Sequence, residues 1–154
     1  MLYERLLAVV LVVLCASAIA LPRQTKIQKS DLPAAVQKTI DQQSKGATVR
    51  GFSKEVENGQ TVYEAELITQ GHSKDISMDA DGNVVEIEED VPFESLPDGV
   101  KQGLQAKAGK GKIGKVESLT KHGQLVAYEA KVTNGARKSE IQVGPEGKSL
   151  AQEE

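Results

Sequence analysis

Two short segments of the chain, 65 positions apart, share the same alternation of apolar and polar side chains. Residues 63–67 read Tyr-Glu-Ala-Glu-Leu, and residues 128–132 read Tyr-Glu-Ala-Lys-Val. Side chains of a β-strand point alternately to opposite faces, so each segment has one apolar face and one charged face. This pattern is typical of an antiparallel sheet with one covered face and one hydrated face.

The hydrophobic pattern around these segments predicts two helices and eight strands. Each helix begins at a Leu-Pro pair, at Leu32 and at Leu96, because proline is well tolerated in a first helical turn. Ser30 and Asp31 supply oxygens for capping the first helix, and Gly46 should end it. The apolar stripes of the helices consist of Leu32, Val36 and Ile40, and of Leu96, Val100 and Leu104. The predicted strands span residues 48–56, 61–69, 73–80, 83–88, 113–120, 125–133, 137–143 and 148–151.

The two halves of the chain match each other element by element. Leu-Pro pairs, strand motifs and turn glycines recur in the same order at an offset of 64 or 65 residues. We interpret residues 30–90 and 94–154 as two copies of one unit, joined by a connector at residues 91–93. The predicted fold is α+β: two tandem repeats, each with one helix packed on a four-stranded antiparallel β-meander.

Residues 1–20 have the layout of a secretory signal peptide. An apolar run over residues 6–14 follows a short head, and Ala18 and Ala20 supply the small residues of a cleavage site. The whole apolar stretch is shorter than the ~20 residues that span a bilayer, which favours cleavage over retention as an anchor. Residues 21–29 are polar and are predicted to form a flexible lead-in. We therefore expect an exported protein, periplasmic or extracellular, with no stable membrane span after cleavage.

The only cysteine, Cys15, lies inside the predicted signal peptide. A lipoprotein would need a small residue before its lipidated cysteine, and Leu14 is large, so lipidation is not expected. The mature chain would then contain no cysteine, which excludes a disulfide scaffold. Its core must also be mostly aliphatic, because the sequence has no Trp and few other aromatic residues.

Charge is distributed unevenly between the two halves. Residues 30–90 hold 13 acidic and 5 basic residues, a net charge of −8, whereas residues 94–154 hold 8 and 10, a net of +2. Either the two halves attract or hydrate differently, or the first unit carries an acidic binding face. Five lysines between positions 101 and 115 have no aromatic residue among them, so we do not expect nucleic-acid binding. This lysine-rich stretch has two interpretations. It either contacts an anionic surface or is a hydrated helix end.

Residues typical of catalysis are scarce. His72 and His122 are the only histidines, and neither lies near a recognisable Ser or Cys nucleophile motif. Both are expected in exposed turns. No catalytic residue is assigned, and we predict that the protein is not an enzyme.

A short acidic segment resembles the start of a calcium-binding loop. Asp79, Asp81 and Asn83 alternate around Gly82, but the bidentate glutamate that completes such a loop is missing at the correct spacing. Further oxygens are supplied nearby by Glu86, Glu88, Glu89 and Asp90. Asp-Gly is also a common hairpin turn, which explains the segment without a metal. No cofactor is predicted. The alternative interpretation is that Asp79, Asp81 and Asn83 bind Ca²⁺.

The combination of a Leu-Pro helix start, a Tyr-Glu-Ala strand and an Asp-x-x-Gly-x-Val hairpin, in tandem behind a signal peptide, resembles PepSY-like domains. It is most similar to the tandem repeats related to beta-lactamase inhibitor proteins, over nearly all of residues 30–154. The resemblance implies an exported module without catalysis, with helices on one face of an antiparallel sheet. It also implies a role in inhibiting or regulating an extracytoplasmic peptidase or other hydrolase. The chain differs in lacking disulfides and aromatic density, so no particular target enzyme is implied.

The function expected from these observations is binding of another exported protein through the hydrated face of the sheet. The alternative is a calcium-responsive envelope protein. The residues assigned to partner binding are Tyr63, Glu64, Glu66, Tyr128, Glu129 and Lys131.

Overall fold

The computed structural model describes residues 24–57, 59–152 and 154. The predicted signal peptide with Cys15, and Asn58 of the first predicted hairpin, lie outside the described residues. The helices are α1 (Ala34–Gln43) and α2 (Asp98–Ala108), and short 3-10 helices span Lys29–Asp31 and Phe93–Ser95. The strands are β1 (Thr25–Ile27), β2 (Thr48–Glu57), β3 (Gln60–Thr69), β4 (His72–Met78), β5 (Val84–Asp90), β6 (Lys112–Lys121), β7 (Gln124–Asn134) and β8 (Arg137–Val143).

All the strands of the described chain belong to one antiparallel sheet, in the order β1 to β8. The α+β class predicted from the sequence is confirmed, and seven of the predicted strands are present with ends shifted by at most two residues. The strand predicted at residues 148–151 is wrong. There the chain closes a turn, in which the Gly144 amide donates to the Lys148 carbonyl oxygen at 2.8 Å, and the described residues after it form no strand.

The eighth strand lies instead at the opposite edge of the sheet. Residues 21–29 were predicted to be a flexible lead-in, but Thr25–Ile27 pair with β2, with Ile27 opposite Phe52. Ile27 packs against the first hydrophobic core, which fixes the segment. β1 also supplies partners for backbone groups of β2 that would otherwise form a free edge.

Both predicted helices are present, and their apolar stripes are buried as expected. Val36 and Val100 are completely buried, one in each helix. The predicted capping of α1 by Ser30 and Asp31 is wrong, because Pro33 occupies the N-cap position. Asp31 instead accepts a hydrogen bond from the Gln28 amide at 2.9 Å and caps the preceding 3-10 helix.

Most of the described core forms two separate clusters, each between one helix and the sheet. The first cluster comprises Leu32, Val36, Ile40, Ala65, Leu67, Ile76 and Met78. The second comprises Leu96, Val100, Leu104, Val116, Ala130 and Val143. Since each cluster is small, the two depend on a continuous sheet beneath them.

Helix α2 packs closely on the turn that follows β8. A side chain at Gly103 would collide with the carbonyl oxygen of Gly147, and one at Gly99 would lie 2.8 Å from that of Glu146. Glycine is unfavourable inside a helix by about 1 kcal/mol relative to alanine. Gly103 is used here because the helix and the turn approach each other backbone to backbone.

The two halves join edge to edge through β5 and β6. Five residues of each strand pair, from Glu86 opposite Lys121 to Asp90 opposite Glu117. The sequence left open whether the two predicted meanders share a sheet, and this pairing answers the question. It also places acidic residues of β4 and β5 beside those of β6 and β7.

Candidate functional site

The sheet has two chemically different faces. Residues in register with Ala65 and Ala130 point toward α1 and α2 and contribute to the two cores. On the opposite face, which we call the open face, neither helix of the described chain packs. Polar residues of the open face include Glu64, Glu66, Asp75, Glu86, Glu88, Glu117, Lys121, Glu129, Lys131 and Gln142.

The six residues assigned to partner binding fall on both faces. Glu64, Glu66, Glu129 and Lys131 lie on the open face, as the alternation of side chains predicts. The two tyrosines do not: Tyr63 packs against the first core and Tyr128 against the second. Their rings complete the apolar side of the sheet, so the structure separates them from the four charged residues.

Carboxylates from neighbouring strands converge near the middle of the open face. Asp75 of β4 is directly opposite Glu66 of β3 and Glu88 of β5. Oxygen atoms of Asp75, Glu88 and Glu117 lie within 4.8 Å of one another. We call Glu64, Glu66, Asp75, Glu88, Glu117 and Glu129 the acidic cluster.

Burial and mutual repulsion make it harder to ionise part of the acidic cluster. Burial, followed by repulsion from Asp75 and Glu66, raises the pKa of Glu64 to about 7. Burial, followed by repulsion from Glu117, likewise raises the pKa of Glu88 to about 7. The pKa values of Asp75 and Glu129 are also raised, chiefly by burial. The sheet therefore holds several carboxyl groups whose charge is only partly compensated.

Lysines compensate part of this charge. Lys115 Nζ lies 2.6 Å from Glu117 Oε1, and this contact leaves the pKa of Lys115 raised although its partial burial acts in the opposite direction. Lys131 Nζ is 3.7 Å from Glu140 Oε1, and both side chains are largely exposed. Exposed pairs of this kind contribute little stability, so Lys131 remains available to a partner.

Sequence reasoning missed Asp75 and Glu117, and it considered Glu88 only as an oxygen donor near the predicted calcium loop. The alternation along each strand does place these residues on a hydrated face, which is the signal that could have drawn attention to them. Their convergence depends on the pairing of β5 with β6, where Glu117 is opposite Asp90 and Glu88 is opposite Leu119. Periodicity within a strand carries no information about which strands are neighbours.

The predicted calcium loop forms a turn in which Asp79 serves as an internal acceptor. Its Oδ1 accepts hydrogen bonds from the amides of Asp81 and Asn83 at 2.9 Å each, and its Oδ2 accepts one from Asn83 Nδ2 at 2.8 Å. The hydrogen bond from the Asn83 side chain is the largest factor that lowers the pKa of Asp79. These contacts are those of an Asx-type turn and account for the residue types at this position.

The two histidines lie at separate points of the sheet. His72 is the first residue of β4, and its Nδ1 is 3.8 Å from an oxygen of Asp90. His122 lies in the turn between β6 and β7 and has a positive φ of 48°. Its amide donates to the carbonyl oxygen of Val85 at 3.0 Å, which ties this turn to β5.

A family model described as "Putative beta-lactamase-inhibitor-like, PepSY-like" matches residues 20–85 and, again, residues 61–150. The chain belongs to this family. The two matched segments together extend from the end of the predicted signal peptide to β8 and the turn beyond it. No curated protein matches the sequence significantly.

Solved structures of three Bacteroides proteins share this fold. A protein from Bacteroides eggerthii, described as a putative periplasmic protein, has a TM-score of 0.65 at 18% identity and covers 79% of this chain and 88% of its own. A DUF2874 family protein from Bacteroides ovatus has a TM-score of 0.63 at 19% identity, covering 77% and 84%. A BLIP-like protein from Bacteroides fragilis has a TM-score of 0.60 at 19% identity, covering 79% and 85%. At these identities the similarity concerns the fold.

Among the described residues, neither helix has the length and hydrophobicity that crossing a membrane requires. Both are amphipathic, with one buried stripe against the sheet and polar residues elsewhere. Their packing against the two cores leaves the open face free of both helices.

The raised pKa of Glu88 makes a prediction about stability and pH. The pKa of Glu88 is about 7 in the folded protein and 4.5 for an ordinary glutamate. Between these two pH values the folded state binds more protons than the unfolded state, so the free energy of unfolding falls as pH rises from one to the other. Replacing Glu88 with Gln should therefore raise the unfolding temperature at pH 8 by about 2–5 °C, equivalent to about 1 kcal/mol after allowance for solvent screening. At pH 5 the two proteins should have similar stability.

Thermal unfolding followed by circular dichroism at both pH values measures this effect. The exposed Glu94, which lies outside the open face, provides the matched Glu94→Gln control. Equal unfolding temperatures of the Glu88 variant and the wild type at pH 8 would show that Glu88 is fully hydrated.

Proposed function

We propose that this protein is an exported, non-catalytic module that binds another exported protein through the open face of its sheet. The family itself is described as beta-lactamase-inhibitor-like. Export is supported by the signal-peptide pattern of residues 1–20 and by the description of the Bacteroides eggerthii neighbour as periplasmic. The family description suggests an inhibitory effect on a hydrolase, and we extend this to regulation of a peptidase or other hydrolase as part of the proposal.

The observation that carries this proposal is the partly buried acidic cluster on the open face. Carboxylates that are crowded and partly removed from water are destabilised, and a partner that brings positive charge would relieve this repulsion. Glu64 and Glu88, whose pKa values are about 7, bear most of this cost. The partner surface should accordingly present lysine or arginine side chains.

The composition of the open face also sets an expectation for affinity. Both tyrosines of the strand motifs point to the cores, so the charged residues act without the aromatic anchors that dominate tight interfaces. Binding that depends on charge should be fast and sensitive to salt. We expect an interaction of moderate affinity that weakens as ionic strength rises.

The two halves of the chain are copies of one binding unit in this proposal. Their turns support it: the Asp79 amide donates to the Asn83 carbonyl oxygen in the first half, and Gly144 donates to Lys148 at the equivalent point of the second. Each helix also follows a 3-10 helix and a proline at the N-cap position. The described residues of the second unit form no fourth strand, so the copies differ at the outer edge of the sheet.

A calcium-responsive role is the second candidate function. The observation that favours it is the approach of the Asp75, Glu88 and Glu117 oxygens to within 4.8 Å. Calcium prefers carboxylate oxygens as ligands, and the ammonium of Lys115 competes for Glu117. The loop of Asp79, Asp81 and Asn83 is the other location for the ion.

A calcium titration of thermal unfolding tests this second role and separates the two locations. If the cluster binds the ion, millimolar calcium should raise the unfolding temperature by a few degrees, about 1–3 kcal/mol of binding linkage. Asp75→Asn should abolish this shift, whereas Asp79→Asn should abolish it only if the loop is the site. An unfolding temperature that does not respond to calcium eliminates the role.

Charge reversal on the open face tests the main proposal. The mature chain, residues 21–154, is used to capture partners from the envelope fraction of its own source, with and without a chelator. Combined reversal by Glu64→Lys and Glu66→Lys should weaken binding of the captured protein at least about tenfold, because attraction becomes repulsion at the centre of the interface.

The affinity of the purified partner is then measured by calorimetry at two salt concentrations. Glu94→Lys, which makes the same charge change away from the open face, should leave the affinity close to that of the wild type. The proposal fails if the double variant and this control bind equally well.

A further inference from the structure

We propose that Gln142 and Lys121 form a glutamate-binding site on the open face, and that Glu154 of the same chain occupies this site and restricts access to the acidic cluster. This inference rests on the proposed function in one respect, namely that the acidic cluster is the surface offered to a basic partner. The ligand of the site is a glutamate recognised through both its main chain and its carboxylate.

Gln142 recognises the main chain of Glu154 through both ends of its side-chain amide. The Glu154 amide donates to Gln142 Oε1 at 2.9 Å, and Gln142 Nε2 lies 3.5 Å from the Glu154 carbonyl oxygen. A primary amide that pairs with the N–H and C=O of one residue reproduces the pattern of a backbone ladder. This recognition does not depend on the side chain of the bound residue.

Lys121 adds selectivity for an acidic side chain. Its Nζ is 3.6 Å from Glu154 Oε2 and 3.7 Å from Glu86 Oε2. The ammonium therefore lies between a carboxylate of the sheet and that of Glu154. An uncharged side chain in place of Glu154 would keep the main-chain contacts and lose this attraction.

Contacts other than those with Glu154 hold the site in place. Gln142 Nε2 donates to Glu129 Oε2 at 2.8 Å. The backbone carbonyl oxygen of Gln142 accepts a hydrogen bond from Lys107 Nζ at 2.8 Å. These contacts orient the amide, so little ordering is needed when a main chain approaches it.

Glu154 lies over the acidic cluster itself. A cavity of about 60 Å³ is lined by Glu88, Glu117, Leu119, Glu129, Gln142 and Glu154. A basic side chain from a partner would need the same space to reach Glu88 and Glu117. Glu154 and such a partner are therefore expected to exclude one another.

The contact is weak enough to be displaced. Only the hydrogen bond to Oε1 is short, and the two remaining contacts measure 3.5 and 3.6 Å. The paired side chains of Lys121 and Glu154 are 31% and 37% exposed, so water competes for both. Glu154 can leave the site without breaking any strand pairing.

The variant Glu154→Pro isolates this contact, because proline removes the N–H donor. Its matched control is Gln152→Pro, which introduces proline nearby and leaves the Glu154 amide in place.

Two measurements are made on the full mature chain. Exchange of the Glu154 amide with solvent is followed by NMR in the wild type, and binding of hexalysine at low salt is measured by calorimetry for all three proteins. The Glu154→Pro variant also loses the negative charge of Glu154, and this loss by itself would weaken binding of the cationic hexalysine.

We expect the wild-type Glu154 amide to exchange about tenfold more slowly than in an unstructured peptide. We also expect Glu154→Pro to bind hexalysine about threefold more tightly than the wild type and the control, despite the lost carboxylate. An amide that exchanges at the unstructured rate, or a variant that binds no more tightly while the wild type does bind, overturns the inference. A protected amide with no hexalysine binding by any of the proteins supports the glutamate site and counts against a basic partner.

Discussion

The pairing of β5 with β6 is the contact on which the rest of the structure depends. It joins two small meanders, each with its own helix and core, into a continuous sheet. Without it, each half would expose the edge of a strand and would have to be stable with a core of only a few aliphatic side chains. The same pairing brings the strongly acidic first half against the mildly basic second half.

The electrostatic character of the open face follows from this junction. Asp75 and Glu88 come from one side of it and Glu117 from the other, so their proximity exists only in the joined sheet. Strand pairing fixes the backbone, and the carboxylates cannot move far apart to reduce their repulsion. Lys115 offsets part of the electrostatic repulsion among these carboxylates. The remaining repulsion, together with burial, raises the pKa values of Glu64 and Glu88. A surface with unrelieved charge of one sign is suited to a partner of the opposite sign.

Much of the fold could be predicted from local patterns. The alternation around Ala65 and Ala130 identified the two faces, and four-residue spacing identified Val36 and Val100 as buried. The predictions failed where a segment depends on a distant partner. Ile27 belongs to a strand because β2 and the first core are beside it. Residues 148–151 form no strand, although the turn before them resembles the turn that begins at Asp79.

The candidate site shows the same division. Glu64, Glu66, Glu129 and Lys131 were assigned to the correct face because that assignment needs only the period of a strand. Tyr63 and Tyr128 were assigned to partner binding as members of the same motifs, although the period places them on the apolar side. Asp75, Glu88 and Glu117 could not be recognised as a group from the sequence, since three strands must be aligned in space before these residues come together.

The joined sheet holds carboxylates of the open face in a partly desolvated, mutually repelling state. NMR titration of the side-chain carboxyl carbons of Glu64 and Glu88 in the folded protein tests this state most directly. We expect both groups to titrate with midpoints near a pKa of about 7. Midpoints close to 4.5, the ordinary value for glutamate, would contradict it and would remove the physical basis for a binding role of the acidic cluster.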